Sequence, residues 1–172
     1  TIHSQEPRLA ESEVVTFPQE NVTQKQFYQK PLVLSQPSPN YTVGRSQGID
    51  RIVLHTTEGS GKGALSWLTN PTSKASAHYL ILEDGTIYNL FSTQDTAWHC
   101  RGYNEESIGI EYVGSYQKNL NESQINAGTS LLHYLMQIYG LDKKDIFPHS
   151  QLDPTRRKDP GKENLELILN NL

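Results

Sequence analysis

The chain has 172 residues, 35% of them apolar and 20% charged, with a formal net charge of -4 and one cysteine, Cys100. That length supports one domain with a real core. The mildly acidic balance gives no electrostatic reason to expect a nucleic-acid partner, no apolar run approaches the ~18 residues needed to cross a bilayer, and a lone cysteine excludes an internal disulfide.

Residues 1–44 are rich in Gln, Ser, Pro and Glu and show no sustained period. They read as an extended N-terminal arm or linker, leaving 45–172 as the folded domain. Within the arm, Phe27-Tyr28-Gln29-Lys30-Pro31-Leu32-Val33-Leu34 is apolar enough to dock on that domain. A chain that starts at Thr1 is expected to be processed or truncated, with any signal peptide or lipid-anchoring cysteine outside it. N-x-S/T triplets occur at Asn21, Asn40 and Asn121.

From Ile49 the pattern tightens. Ile49-Asp50-Arg51-Ile52-Val53-Leu54-His55 predicts a buried strand that ends in a polar cluster. Thr56 to Gly61 is a loop, and Lys62 to Thr69 a short helix stopped by Asn70-Pro71. Ala77 to Leu82 is the next strand. Asp84-Gly85 then predicts a tight hairpin with positive φ at both central positions, leading into Thr86 to Leu90. Ser107 to Val113 is a further strand, with Ile108, Ile110 and Tyr112 on one face and Glu111 on the other.

Asn121 caps a long helix ending near Tyr139, with Ile125, Leu131, Leu132, Leu135 and Ile138 as its apolar face and Gly140 as the residue after it. Leu165, Ile168, Leu169 and Leu172 mark a short amphipathic helix at the end. Strands and helices interleave, but the hairpin excludes an all-parallel sheet. The fold class is α/β, one mixed β-sheet flanked by helices.

Two histidines and a carboxylate can hold zinc and leave a fourth position open. His55, at the end of its strand, His149, after Pro148, and Asp159, before Pro160-Gly161, are such a set. Spacing alone does not select it, because six histidines offer many triplets. His3 lies in the arm and His133 sits mid-helix, half exposed. His78 reads as a satisfied core or supporting histidine rather than a ligand, and His99, in Ala97-Trp98-His99, as a pocket wall or packing group. Trp67 and Tyr79 read as core, and Phe147 as a core anchor.

Seven short segments decide between these triplets. They are Ile52 to Gly59, Ser76 to Ile81, Asp84 to Tyr88, Ala97-Trp98-His99, Ser107 to Glu111, Pro148-His149-Ser150 and Asp159-Pro160-Gly161. In that order they resemble the zinc-dependent N-acetylmuramoyl-L-alanine amidases of the type-2 amidase family, relatives of the peptidoglycan recognition proteins. The resemblance spans about Ser38 to Gly161 and is closest to the bacterial cell-wall and phage-lysin branches.

The resemblance implies an amidase-like fold and Zn2+ held by His55, His149 and Asp159. It implies Glu111 as the catalytic acid/base, and peptidoglycan or a muropeptide as substrate. Where the family carries a lysine two residues before the ligand aspartate, this chain has Arg157, with Lys158 beside it. Arginine keeps its proton near neutral pH, so Arg157 can stabilise charge but not donate a proton; alternatively Lys158 reaches in. Trp98, His99, Asn104, Tyr41 and His78 are expected on the substrate side of the cleft. The expected location is outside the cytoplasm: periplasmic, wall-associated or secreted. Two other readings stand beside the amidase, a peptidoglycan-binding module without activity and a zinc peptidase cutting within the stem peptide.

Overall fold

The computed structural model describes residues 25–172; His3, the Asn21 triplet and the first 24 residues of the arm lie outside the described part. The order of elements is β1 (Leu34–Ser35), β2 (Tyr41–Thr42), β3 (Arg51–Thr56), α1 (Gly61–Thr69), β4 (Tyr79–Ile81), β5 (Ile87–Asn89) and β6 (Thr96–Ala97). There follow β7 (Ser107–Tyr112), α2 (Glu122–Tyr139), β8 (Ile146–Pro148), α3 (His149–Leu152) and α4 (Lys162–Asn170). No described helix is long and apolar enough to cross a membrane.

Six strands form one sheet in the order β1-β5-β4-β7-β3-β8, and β2 and β6 pair separately. Within the sheet only β4 and β5 run antiparallel. The mixed sheet expected from the hairpin is therefore present. The hairpin turn differs in detail. Only Gly85 has positive φ, at +88°, and its N–H donates to Leu82 O at 2.9 Å while Leu82 N–H donates to Thr86 O at 2.9 Å. Asp84 instead accepts the Thr86 N–H at Oδ1. The loop carries one more residue than a two-residue turn, so a single glycine suffices.

Period-two patterning assigns the two faces of the sheet. Ile52, Leu54, Tyr79, Ile81, Ile108, Ile110 and Tyr112 point to one side and pack against Ile125, Leu131, Leu132 and Leu135 of α2 and Ile168 of α4. Helix α2 begins with Asn121 and Gln124 satisfying each other's backbone N–H groups and ends at Gly140, φ 64°. Ile138, expected on its apolar face, is exposed. The other side of the sheet carries a smaller cluster, Leu68, Leu80, Leu90 and Val113. It is otherwise open to a cleft.

Two segments of the expected arm join the fold: β1 pairs with β5 at the sheet edge and β2 with β6. Tyr28 exchanges backbone hydrogen bonds with the Gln137 side chain and stacks on His133. Phe27 and Leu32 stay exposed. Asn40 is buried, and its Nδ2 lies 2.9 Å from both Asn70 O and Ala75 O. It is a structural tie and closed to glycosylation in the folded chain.

Asn164, buried on α4, closes the other end of the domain. Its Oδ1 accepts from Leu120 N–H at 2.9 Å, and Nδ2 lies within 3.1 Å of the carbonyls of Pro160, Ser115 and Lys118. Beside it Gly161, φ +89°, passes so near Tyr116 that a Cβ would stand 2.4 Å from that carbonyl oxygen. Asn164→Ala orphans several buried backbone groups at once, at a cost of roughly 2–4 kcal/mol. Urea unfolding should show a lower midpoint at an unchanged slope.

Candidate metal centre and active-site cleft

Strand register brings distant residues together. In the parallel pair β3–β7, His55 lies opposite Glu111. In the parallel pair β3–β8, Val53 faces Phe147 and Leu54 faces Pro148. The next residues along the two strands are His55 and His149, so these imidazoles emerge side by side beyond the carboxyl ends of the strands, where open α/β sheets place their sites. Helix α3 and the turn after it carry the chain back, and Ser150 N–H donates to Asp159 O at 3.0 Å. That bond fixes Asp159 beside His149.

Three donor atoms then converge. His55 Nδ1 and His149 Nδ1 are 2.9 Å apart, and each is 3.2 Å from Asp159 Oδ2. All three side chains are buried, and they form a metal-competent group among the described residues. A zinc ion bonded tetrahedrally at ~2.0–2.2 Å separates its ligand atoms by roughly 3.3–3.5 Å. The observed triangle is only a few tenths of an ångström tighter, and its donor types are those zinc accepts, so the residues fit the ion.

The protonation states agree with that fit. Burial pushes the His55 imidazole below its usual range, toward the neutral form that binds metal. Burial alone would raise Asp159, but the imidazoles of His149 and His55 against its Oδ2 outweigh it and hold the carboxyl well below the usual range. Glu111 goes the other way. Its burial, with the charges of Asp159 and Glu58 nearby, pushes it up to about 8 against the opposing pull of Arg157. Its Oε2 is buried without a hydrogen-bond partner among the described residues. A carboxyl poised near neutrality with a free oxygen is suited to proton transfer.

These groups open into a cleft of about 660 Å³ lined also by Trp67, Trp98, Arg101, Asn104, Arg156 and Arg157. Arg157 is in the cleft, whereas Lys158 lies over the Tyr116 ring at 5.7 Å, outside the lining residues. Trp98 stands in the wall, its Nε1–H donating to Thr42 Oγ1 at 3.0 Å. Asn104 also lines the cleft, but its Oδ1 is taken by the His99 and Cys100 N–H groups at 3.0 and 2.8 Å.

Several expectations are corrected. Tyr41 does not line the cleft; its ring packs on Phe91. His78 is fully buried, with Nδ1 accepting from Gly109 N–H at 3.1 Å and Nε2 donating to Asp95 O at 2.8 Å. It supports the sheet and cannot touch substrate. His99 borders the cleft, yet both ring nitrogens are engaged inside the protein, by His55 and Ser107. Trp67, read as core, is 57% exposed and faces the cleft. Phe147 is only partly buried and sits under the Arg51 guanidinium. Tyr79 is core as expected.

Sequence reasoning assigned no role to Glu58. Its backbone is left-handed, φ 59°, and Oε1 accepts from Thr56 Oγ1 at 2.6 Å and Tyr116 N–H at 3.0 Å. That places a third carboxyl group in the cleft beside Asp159 and Glu111, where it raises Glu111. The signal lay in the segment Thr56-Thr57-Glu58-Gly59, quoted above as a loop.

Residues 44–162 match the family described as N-acetylmuramoyl-L-alanine amidase. N-acetylmuramoyl-L-alanine amidase A of Achromobacter lyticus is 37% identical over 97 residues, covering 55% of this chain and 54% of that protein. The chain spans about half the length of the curated relatives it matches. The crystal structure of an AmpD derivative superposes with a TM-score of 0.73 at 22% identity, covering 86% of this chain and 99% of that one. The Escherichia coli amidase AmiD, in complex with the substrate anhydro-N-acetylmuramic acid-L-Ala-D-gamma-Glu-L-Lys, matches with a TM-score of 0.61 at 25% identity, covering 67% of this chain and 55% of that one. With more than half of the chain inside the family match, this protein belongs to the N-acetylmuramoyl-L-alanine amidase family.

Proposed function

We propose that the chain is a zinc hydrolase that cleaves the amide bond between N-acetylmuramic acid and L-alanine of peptidoglycan or its muropeptide fragments. The observation that carries the reading is the buried triangle of His55, His149 and Asp159 beside an unpartnered Glu111 oxygen. Family membership supplies the bond, and the AmiD relative is described with a muropeptide substrate. Because that polymer lies outside the cytoplasm, the expected site of action is the periplasm, the wall or the medium. Residues 45–172 would carry the catalysis, with the docked part of 1–44 bracing the sheet edge.

His55, His149 and Asp159 would hold the ion. When bound, zinc supplies Lewis acidity, making water acidic enough to ionise near neutral pH and polarising an amide carbonyl. Glu111 takes the proton of the attacking water on its free carboxyl oxygen. It then returns that proton to the leaving nitrogen, because an amide does not expel an unprotonated amine. Arg157, a fixed cation in the cleft, offsets negative charge as the carbonyl carbon becomes tetrahedral. Trp67 and Trp98 offer flat apolar walls for sugar or peptide.

Purified peptidoglycan digested with the zinc-loaded protein should release intact stem peptides with free L-alanine amino termini, read by mass spectrometry, and chelation should abolish release. Binding without release would favour the inert binding module, and fragments cut within the stem would favour the peptidase. Glu111→Gln should retain zinc and lose roughly 10²–10⁴-fold in kcat; full activity in that variant removes Glu111 from the reaction. Arg157→Ala should lower kcat by about 10²-fold with zinc content unchanged.

Glu111 also makes stability depend on pH. Its folded pKa lies above the ordinary 4.5, so the stability of the protonated form is complete below about 4.5 and is lost as pH rises through about 8. Metal-free Glu111→Gln should therefore melt at the same temperature as metal-free wild type near pH 4 and higher than it at pH 8–9, a gap on the order of 2–5 kcal/mol.

A further inference from the structure

His99, like His78, has both ring nitrogens occupied within the protein, but its partners are side chains, and the way they occupy it has a direction. The Ser107 hydroxyl has one proton, and it lies 2.5 Å from Tyr103 O, a carbonyl that only accepts. With that proton committed, Ser107 Oγ accepts the Nε2–H of His99 at 2.8 Å. The Nδ1 of a neutral His99 is then a bare lone pair, 2.9 Å from His55 Nε2. It accepts the Nε2–H of His55, which leaves His55 Nδ1 unprotonated and aimed at His149 and Asp159.

From this polarity we propose that His99 is a positioning residue that fixes the tautomer and ring orientation of His55, so that Nδ1 is the atom offered to the metal. The inference rests on the metal site proposed above. A second observation supports it independently of the hydrogen bonds. The His99 ring lies flat on β7 over Gly109, where a Cβ would stand 2.6 Å from its Cγ. Ser107, Gly109 and Glu111 share the cleft face of β7. The serine orients His99, the glycine makes room for its ring, and the glutamate does the proton chemistry. Ligand histidines depend on such a partner at the second nitrogen, and its removal typically weakens metal binding 10–100-fold.

The test uses the full chain, with zinc alone as ligand. In metal-free protein labelled with 15N, long-range proton–nitrogen correlation should show His55 protonated at Nε2 and bare at Nδ1. His99→Leu should weaken zinc binding roughly 10–100-fold in a chelator competition and mix the His55 tautomers. His99→Asn, which can present an oxygen acceptor near the position of Nδ1, should restore both, to within about threefold in affinity. A merely structural role would not give that rescue together with a tautomer change.

Should His99→Leu fail to fold, Ser107→Ala serves instead. It frees His99 to reverse its polarity, and should mix the His55 tautomers while Ser107→Thr does not. A wild-type His55 carrying its proton on Nδ1 overturns the proposal. So does a folded His99→Leu or Ser107→Ala protein with wild-type tautomer and zinc affinity. If the wild-type protein takes up no zinc, the metal-site reading fails, and the spectra of the metal-free protein still decide whether His99 orients His55.

Discussion

The parallel register of β3 between β7 and β8 is the constraint on which the site depends. Side chains alternate across a strand, so a shift of one residue would send His55 into the helix-covered face and bring Leu54 or Thr56 to the cleft. The register is held by what lies on that other face. Ile52, Leu54, Ile108, Ile110 and Tyr112 are fully buried against α2 and α4, and moving any of them out would forfeit on the order of 2 kcal/mol apiece. The hydrophobic core therefore specifies the metal triangle indirectly. His55 is placed by the apolar Leu54 before it and the buried Thr56 after it, and Glu111 by Ile110 and Tyr112 on either side of it on β7.

Within that frame two carboxyl groups beside His55, Asp159 in contact with its ring and Glu111 opposite it across the strands, are driven apart. Asp159 is given two imidazoles against its Oδ2, and burial is outweighed. Glu111 is given neighbours of its own sign and an oxygen with no donor. Environments that separate titrating groups in this way divide labour between a group that stays ionised and one that can exchange a proton near neutral pH. The left-handed backbone of Glu58 belongs to the same arrangement. Local strain of about 1–3 kcal/mol is tolerated where surrounding contacts over-determine it, and here the Thr56 hydroxyl and Tyr116 N–H lock the carboxylate in place.

Much of this was legible in the chain because it rests on short-range pattern. The alternation in Ser107 to Tyr112 separates core from cleft face, and the Asn121 cap and Gly140 bracket α2 to the residue. The His55, His149 and Asp159 set needed the seven ordered segments, since six histidines give no unique triplet. What stayed hidden depends on tertiary partners. Leu34–Ser35 and Tyr41–Thr42 are too short to show a period, and are strands only because β5 and β6 lie alongside. Trp67 sits on an amphipathic helix as a core residue would, yet α1 buries only Leu68.

His78 and His99 show why residue type misleads when direction is unknown. Both are histidines beside cleft-forming segments, and both have their ring nitrogens engaged within the protein. His78 is bonded to backbone on either side, to Gly109 N–H and Asp95 O, and so ends in the scaffold. His99 is bonded to a hydroxyl on one side and a proposed ligand on the other. A chain of bonds that begins at an obligate acceptor, the Tyr103 carbonyl, passes a fixed polarity outward until it reaches an atom that can meet a metal. The same side chain thus packs a sheet or tunes a ligand according to whether the next group along is backbone or another imidazole.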